Sequence, residues 1–260
     1  MLIKLLKLRI TMTFIIALST FLGLTQGKIA LGAIIGEDNR VLVDPNDGWL
    51  KRIVKIRGGC TGALVASDIV LTAAHCLKKF LKKDKNGVWK VDVVMSVYSG
   101  YIQDNHSYGA YVEGVEWGTL EPELDKKNDW ALLRLDRKLG NKVGWFGVYS
   151  NFTAEHPGNK AVKLASFPSD KAATQRMAFE DRCQITLHQG DLLKHKCDTE
   201  NGLSSAPLIH FDEKKQAYMI MGFHIRGGSE NASTKDTKKY NTGVNSRIFV
   251  KALNEWRKLK

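Results

Sequence analysis

Short runs rich in β-branched and aromatic residues, separated by turn-formers, recur along most of this chain. Residues 50–57, 61–65, 69–72, 89–98 and 130–135 are such runs in the first half; 161–167, 178–187, 206–210, 217–224 and a stretch near 243–245 are their counterparts in the second. Length and composition predict strands at each. So many strands with so few helical patterns imply an all-β sandwich or barrel rather than a helix-covered sheet. Only the C-terminal end changes period. There Ile248, Phe249, Ala252, Leu253 and Trp256 fall on one helical face, which predicts an amphipathic helix over 246–260 docked on the body. The Gly-rich stretch from Gly140 to Gly147 is the expected divide between the halves, and no internal repeat or low-complexity linker interrupts them.

The first 27 residues read differently. Lys4, Lys7 and Arg9 precede an apolar run from Ile10 to Leu24, and Thr25-Gln26-Gly27 follows, the layout of a cleavable signal peptide. The run is short for a membrane span, and no later segment reaches the roughly 18 apolar residues a span needs, so no membrane association is expected after cleavage. Residues 28–33 are then a short N-terminal or pro-segment, and 34–260 the mature domain. Cleavage removes three cations and no acid, taking the formal charge from +12 to +9.

Three short segments carry candidate chemistry. His75 follows the apolar run 65–72, with Ala73 and Ala74 leaving room for a helical turn at the strand end. Asp129 immediately precedes the apolar run beginning at Trp130. A carboxylate held against such a strand is desolvated and needs a donor, and an imidazole Nδ1–H is a suitable one. Ser204 lies in a turn between Asn201-Gly202 and the strand that starts near Ala206. Gly202 can take the φ that aims its N–H, with that of Ser204, at a developing oxyanion. Singly, such residues are usually core histidines, caps and turn serines; the order His, Asp, Ser and the flanks carry the assignment. Chemistry alone leaves Ser204 and Ser205 open as nucleophile; Ser204 keeps the spacing to Gly202 and Pro207.

On these motifs, Leu71-Thr72-Ala73-Ala74-His75-Cys76, Asn128-Asp129-Trp130-Ala131-Leu132-Leu133 and Gly202-Leu203-Ser204-Ser205-Ala206-Pro207, the chain resembles the trypsin-like serine peptidases from about Ile34 to its end. Ile35-Gly36-Glu37-Asp38-Asn39-Arg40-Val41, Cys60-Thr61-Gly62-Ala63-Leu64, Cys197-Asp198-Thr199 and Gly222-Phe223-His224 are similar to the secreted glutamyl-endopeptidase-like branch. The resemblance implies two six-stranded antiparallel β-barrels, about 34–140 and 141–245, with a C-terminal α-helix and a cleft between the barrels. It implies His75 as base, Asp129 as its orienting acid, Ser204 as nucleophile, and Gly202 and Ser204 as oxyanion donors. It also implies a substrate pocket containing Asp198, Thr199, His224 and Gly227. Asp198 stands where an acid selects Lys or Arg, whereas Thr199 and His224 match positions that hold a substrate Glu; cleavage after Glu is the favoured reading. Two departures stand out. Ser205 replaces the usual Gly after the nucleophile, and Leu203 replaces the Asp that pairs with a freed N-terminal amine in animal trypsins. They leave open a catalytically inactive homologue that acts as a basic binding module.

The four cysteines suit an oxidising compartment. They allow three connectivities, of which the resemblance favours Cys60–Cys76 and Cys183–Cys197. No CxxC or HxxxH pair suggests zinc, and neither metal nor organic cofactor is expected. Cations cluster at Lys78-Lys79, Lys82-Lys83, Lys235–Lys239 and the C-terminus, a solvated basic surface suited to acidic partners. No nucleic-acid recognition motif accompanies it. The expected protein is a secreted monomer acting on protein or peptide substrates. Asn105, Asn151 and Asn231 head glycosylation sequons.

Overall fold

A computed structural model describes residues 33–86, 89–91, 94–150, 160–169, 176–228 and 240–259. The predicted signal peptide, Asn151, Asn231 and the 235–239 lysine cluster lie outside them.

Six strands close the first barrel: β2 (Ile53–Ile56), β3 (Cys60–Leu64), β4 (Ile69–Thr72), β7 (Ser96–Ser99), β8 (Tyr108–Trp117) and β9 (Ala131–Leu135). They run in the order β2-β3-β4-β9-β8-β7. Between β4 and β7, β5 (Leu81–Lys83) and β6 (Trp89–Val91) form a separate two-stranded ribbon. The second barrel consists of β11 (Lys160–Ser166), β12 (Met177–Gln189), β13 (Leu192–His195), β14 (Pro207–Asp212), β15 (Ala217–Arg226) and β16 (Asn241–Asn245). It runs β12-β11-β14-β15-β16-β13 and closes by pairing β13 with β12. The two six-stranded antiparallel barrels and the terminal helix are therefore present as expected. Helix α2 (Ser246–Trp256) starts at Asn245, whose side chain accepts the Arg247 N–H as an N-cap. Among the described residues no helix is long and apolar enough to cross a membrane.

Four expectations are corrected. The segment 89–98 is not one strand but β6 and β7, with Val94 and Met95 in neither. Of 50–57, only β2 is strand, because Gly48–Arg52 forms a 3-10 turn that buries Leu50. The first barrel does not begin at 34: β1 (Val41–Val43) pairs with β12, so this segment belongs to the second barrel. Helix α2 ends at Trp256, where the Arg134 guanidinium donates to its carbonyl at 2.6 Å and satisfies an end group that another turn would have bonded.

The Gly-rich divide contains α1 (Gly140–Val143) and β10 (Gly147–Val148), which runs parallel to β15. At Gly140 a β-carbon would meet backbone atoms of Ala66 and Ser67 at 2.8–3.0 Å, so close packing of this crossover against the first barrel requires glycine. The main core, including Ile53, Leu64, Leu71, Leu132, Phe146, Phe223 and Phe249, runs across both barrels. A second cluster inside the later barrel includes Leu164, Leu193, Leu208 and Leu203. Leu203 is thus a core residue, which gives a packing reason for an apolar side chain beside Ser204.

Candidate active site

His75 sits in a 3-10 turn, Ala74–Cys76, directly after β4. Asp129 follows another such turn, Lys126–Asn128, directly before β9. Because β4 and β9 pair, with Thr72 opposite Ala131, the two turns emerge side by side. The fully buried Asp129 carboxylate accepts the His75 backbone N–H at 2.9 Å through Oδ1 and faces His75 Nδ1 at 2.8 Å through Oδ2. A carboxylate is an acceptor, so this contact assigns the proton to Nδ1 and leaves a lone pair on Nε2. That nitrogen is buried and makes no hydrogen bond among the described residues.

Ser204 and Ser205 face different tasks. The Ser205 hydroxyl accepts the Ala73 N–H and lies 2.9 Å from Thr72 Oγ1, inside the protein. Its backbone, at φ +72°, donates to the His224 carbonyl at 2.8 Å. No such bond commits the Ser204 hydroxyl among the described residues. Ser204 is only 2% exposed, and its carbonyl accepts the Thr61 N–H of the first barrel at 3.1 Å. Its hydroxyl and His75 Nε2 are not hydrogen-bonded to each other, a spacing that catalytic pairs often show without substrate. Gly202 adopts φ +92°, and a β-carbon there would lie 2.7 Å from the Phe167 carbonyl oxygen. Only glycine fits that turn. Neither the Gly202 nor the Ser204 N–H donates to an acceptor among the described residues.

The expected pocket residues divide into two groups. Asp198 is fully buried, and its carboxylate accepts Ile35 N–H at 2.7 Å and Asn39 N–H at 2.9 Å. Its charge thus meets amides of the N-terminal segment. Thr199 is likewise occupied, since its hydroxyl accepts Ala33 N–H at 2.9 Å and its own N–H donates to the Ala33 carbonyl at 3.0 Å. His224 and Gly227 lie on and just beyond the end of β15. His224 Nδ1 is 3.1 Å from His195 Nε2, and both rings are fully buried. Burial, then the neighbouring His224 and Lys194, push the His195 pKa well below the usual imidazole range. His195 was not foreseen, because nothing in Lys194-His195-Lys196 distinguishes it from a surface histidine; only the β13–β16–β15 pairing brings it under His224.

Two further features frame the site. Arg226, two residues beyond His224, forms an ion pair with Glu123 on the first-barrel loop before Asp129, bridging the barrels. Glu123 is held below the usual carboxylate range: burial pushes upward, but the hydrogen bond and charge of Arg226 and the charges of Lys78 and His75 outweigh it. Both expected disulfides, Cys60–Cys76 and Cys183–Cys197, are formed. Among the described residues one cluster has metal-ligand spacing, Cys60, His75 and Cys76. It does not suit a metal, because both sulfurs are bonded to each other and His75 Nδ1 faces Asp129.

Residues 45–175 match the trypsin family model, and the chain belongs to that family. An extracellular metalloprotease of Bacillus subtilis is 26% identical over 183 residues, 69% of this chain and 55% of that protein. A glutamyl endopeptidase of Bacillus licheniformis is 26% identical over 230 residues, 82% of this chain and 68% of that protein. The match thus spans little more than half of the first relative. A solved structure of a Glu endopeptidase in complex with MPD superposes with a TM-score of 0.68 at 22% identity, covering 86% of this chain and 99% of that one. It shares the fold.

Proposed function

We propose that this chain is a secreted serine endopeptidase that cleaves after Glu through an acyl-enzyme. The observation that supports the chemistry best is the His75 couple with the buried Asp129, together with a serine pair of which, among the described residues, only the Ser205 hydroxyl is hydrogen-bonded. His75 Nε2 takes the Ser204 proton as Oγ attacks the scissile carbonyl, and Asp129 stabilises the imidazolium. The N–H groups of Gly202 and Ser204 hold the oxyanion. The imidazolium protonates the leaving amine, and water then releases the acid with His75 again as base. No step needs a metal or cofactor. Two disulfides fit export to an oxidising compartment.

The preference for Glu rests on His224. With the Asp198 carboxylate bonded to the Ile35 and Asn39 amides and Leu203 in the core, neither is offered as the charge for a substrate Lys or Arg. In this reading His195 donates from Nε2 to His224 Nδ1, and His224 keeps a proton on Nε2 for a substrate carboxylate. Thr199, bonded to Ala33, has no part in this version of the pocket. A glutamyl endopeptidase among the relatives agrees with the reading.

Matched peptides differing only at the residue before the scissile bond test the proposal, together with organophosphonate labelling. Faster cleavage after Glu than after Arg is expected, with the label on Ser204. Ser204→Ala should remove turnover and label while keeping the fold. Faster cleavage after Arg would overturn the specificity, and absence of label from the wild-type protein would overturn the chemistry.

A further inference from the structure

The residue after the proposed nucleophile has a side chain where the family usually has none, and that side chain is built into a buried polar chain crossing between the barrels. Thr72 Oγ1 lies 3.3 Å from the Thr61 carbonyl and can only donate to it. The Thr72 and Ser205 hydroxyls lie 2.9 Å apart, either able to donate to the other, and Ser205 Oγ is also 3.6 Å from Cys76 Sγ. Ser205 Oγ in turn accepts the Ala73 N–H. Thr61, at the other end, grips the nucleophile turn from both sides: its N–H donates to the Ser204 carbonyl at 3.1 Å and its hydroxyl to the Gly202 carbonyl at 3.2 Å. The Thr61 hydroxyl also accepts Phe167 N–H at 3.1 Å. Thr61 and Thr72 are fully buried and Ser205 is 2% exposed. The Thr61 bonds to Gly202 and Ser204 and the Thr72 and Ala73 bonds to Ser205 therefore join β3, β4 and the His75 turn to the loop that carries Ser204, while Thr72 to Thr61 ties β4 to β3.

A residue with a β-carbon at φ +72° is uncommon and persists where its surroundings hold it. Here the contacts of its hydroxyl with Thr72 Oγ1, Ala73 N–H and Cys76 Sγ hold it. Resting on the reading of Ser204 as nucleophile and His75 as base, we infer that Ser205, with Thr72 and Thr61, is a positioning device: it sets the loop bearing Ser204 in register with the strand end bearing His75. The two groups sit on different barrels, so small relative slips of those barrels would separate them. A hydroxyl bonded to Ala73, two residues from His75, resists that slip. Ser205 touches no substrate in this scheme and acts through its neighbours.

The test uses the full mature protein and three variants. Ser205→Gly suits the positive φ and removes the whole side chain, Ser205→Ala keeps the β-carbon and removes only the hydroxyl, and Thr72→Val removes the middle link while keeping the shape. Each should lower kcat by about tenfold or more with KM little changed, and slow phosphonate labelling of Ser204 in parallel, since misplacement acts on the reacting geometry. Ser205→Gly combined with Thr72→Val should lose much less than the product of the single losses, because both break one chain. Thermal melting separates this from simple unfolding: Ser205→Gly should melt near the wild type while losing kcat. If Ser205→Ala fails to fold, Ser205→Gly decides. Ser205→Gly with wild-type kcat and labelling rate would overturn the inference while leaving Ser204 as nucleophile. Failure of the wild-type protein to label at Ser204 would overturn both.

Discussion

Glu180 on β12 is a buried carboxyl whose neighbours argue against charging it. Burial, assisted by the nearby Asp198 and Asp38, raises its pKa to about 7, against the opposing pull of the Asp198 N–H and Arg40. An acid whose folded pKa lies above its unfolded value contributes fully below the unfolded value of 4.5 and loses that contribution as pH rises through about 7. Thermal stability should therefore fall between pH 4.5 and 7, by roughly 1–3 kcal/mol from this group. Glu180→Gln keeps an acceptor for the Asp198 N–H at 2.7 Å and should flatten that part of a melting-temperature profile; an equally steep fall in the variant would assign it to other groups. Such a role is not legible in sequence, where Glu180 is one acid in a strand. His75, Asp129 and Ser204 were legible because each adjoins an apolar run that fixes where a strand ends. Thr72, His195 and Glu180 matter only through what neighbouring strands bring against them, and the orientation of Asp198 depends on amides more than 150 residues away.

Strands with β-branched, apolar runs were visible in the same way, and Ile69–Thr72 is found over the predicted residues. The longest miss is β8, which joins β7 and β9 and closes the first barrel. It contains Gly109, Gly114, Glu113 and Glu116, residues that strands usually avoid, and it is exposed along much of its length. Its existence is dictated by its partners rather than by its own pattern. The terminal helix was readable because its apolar face is regular. Phe249 and Leu253 are fully buried, and the Phe249 ring lies 5.8 Å from Phe223 in the shared core. The helix also reaches the first barrel: Arg257 donates to the Val65 carbonyl, and Arg134 to that of Trp256. Truncating Phe249 to Ala should cost about 3–5 kcal/mol by chemical denaturation, whereas Lys251→Ala on the exposed face should stay within about 0.5 kcal/mol. Equal losses would mean that the helix is not docked through its apolar face.

At the scale of the whole molecule, two barrels are held across one seam by the shared core, the Thr61–Thr72–Ser205 chain, helix α2 and the Glu123–Arg226 ion pair. The partly buried contacts among these are poorly screened by salt, but the surface charge is not. The chain carries a formal net charge of +12, so it presents an attractive field to acidic peptides over distances comparable with the Debye length, about 10 Å at 0.1 M salt. If the pocket accepts Glu as proposed, chemistry and field favour the same substrates, and the two effects separate by their salt dependence. Raising ionic strength from about 0.02 to 0.5 M should lower kcat/KM several-fold for a peptide with several acidic residues around the cleaved Glu, since steering is lost. A peptide with the single Glu and otherwise neutral residues should change far less, because its recognition is local to His224. Melting temperature should hold nearly constant across the same range, showing that the seam is intact. An identical salt response for both peptides would place the cation excess outside substrate capture and leave it a solubility feature of the surface.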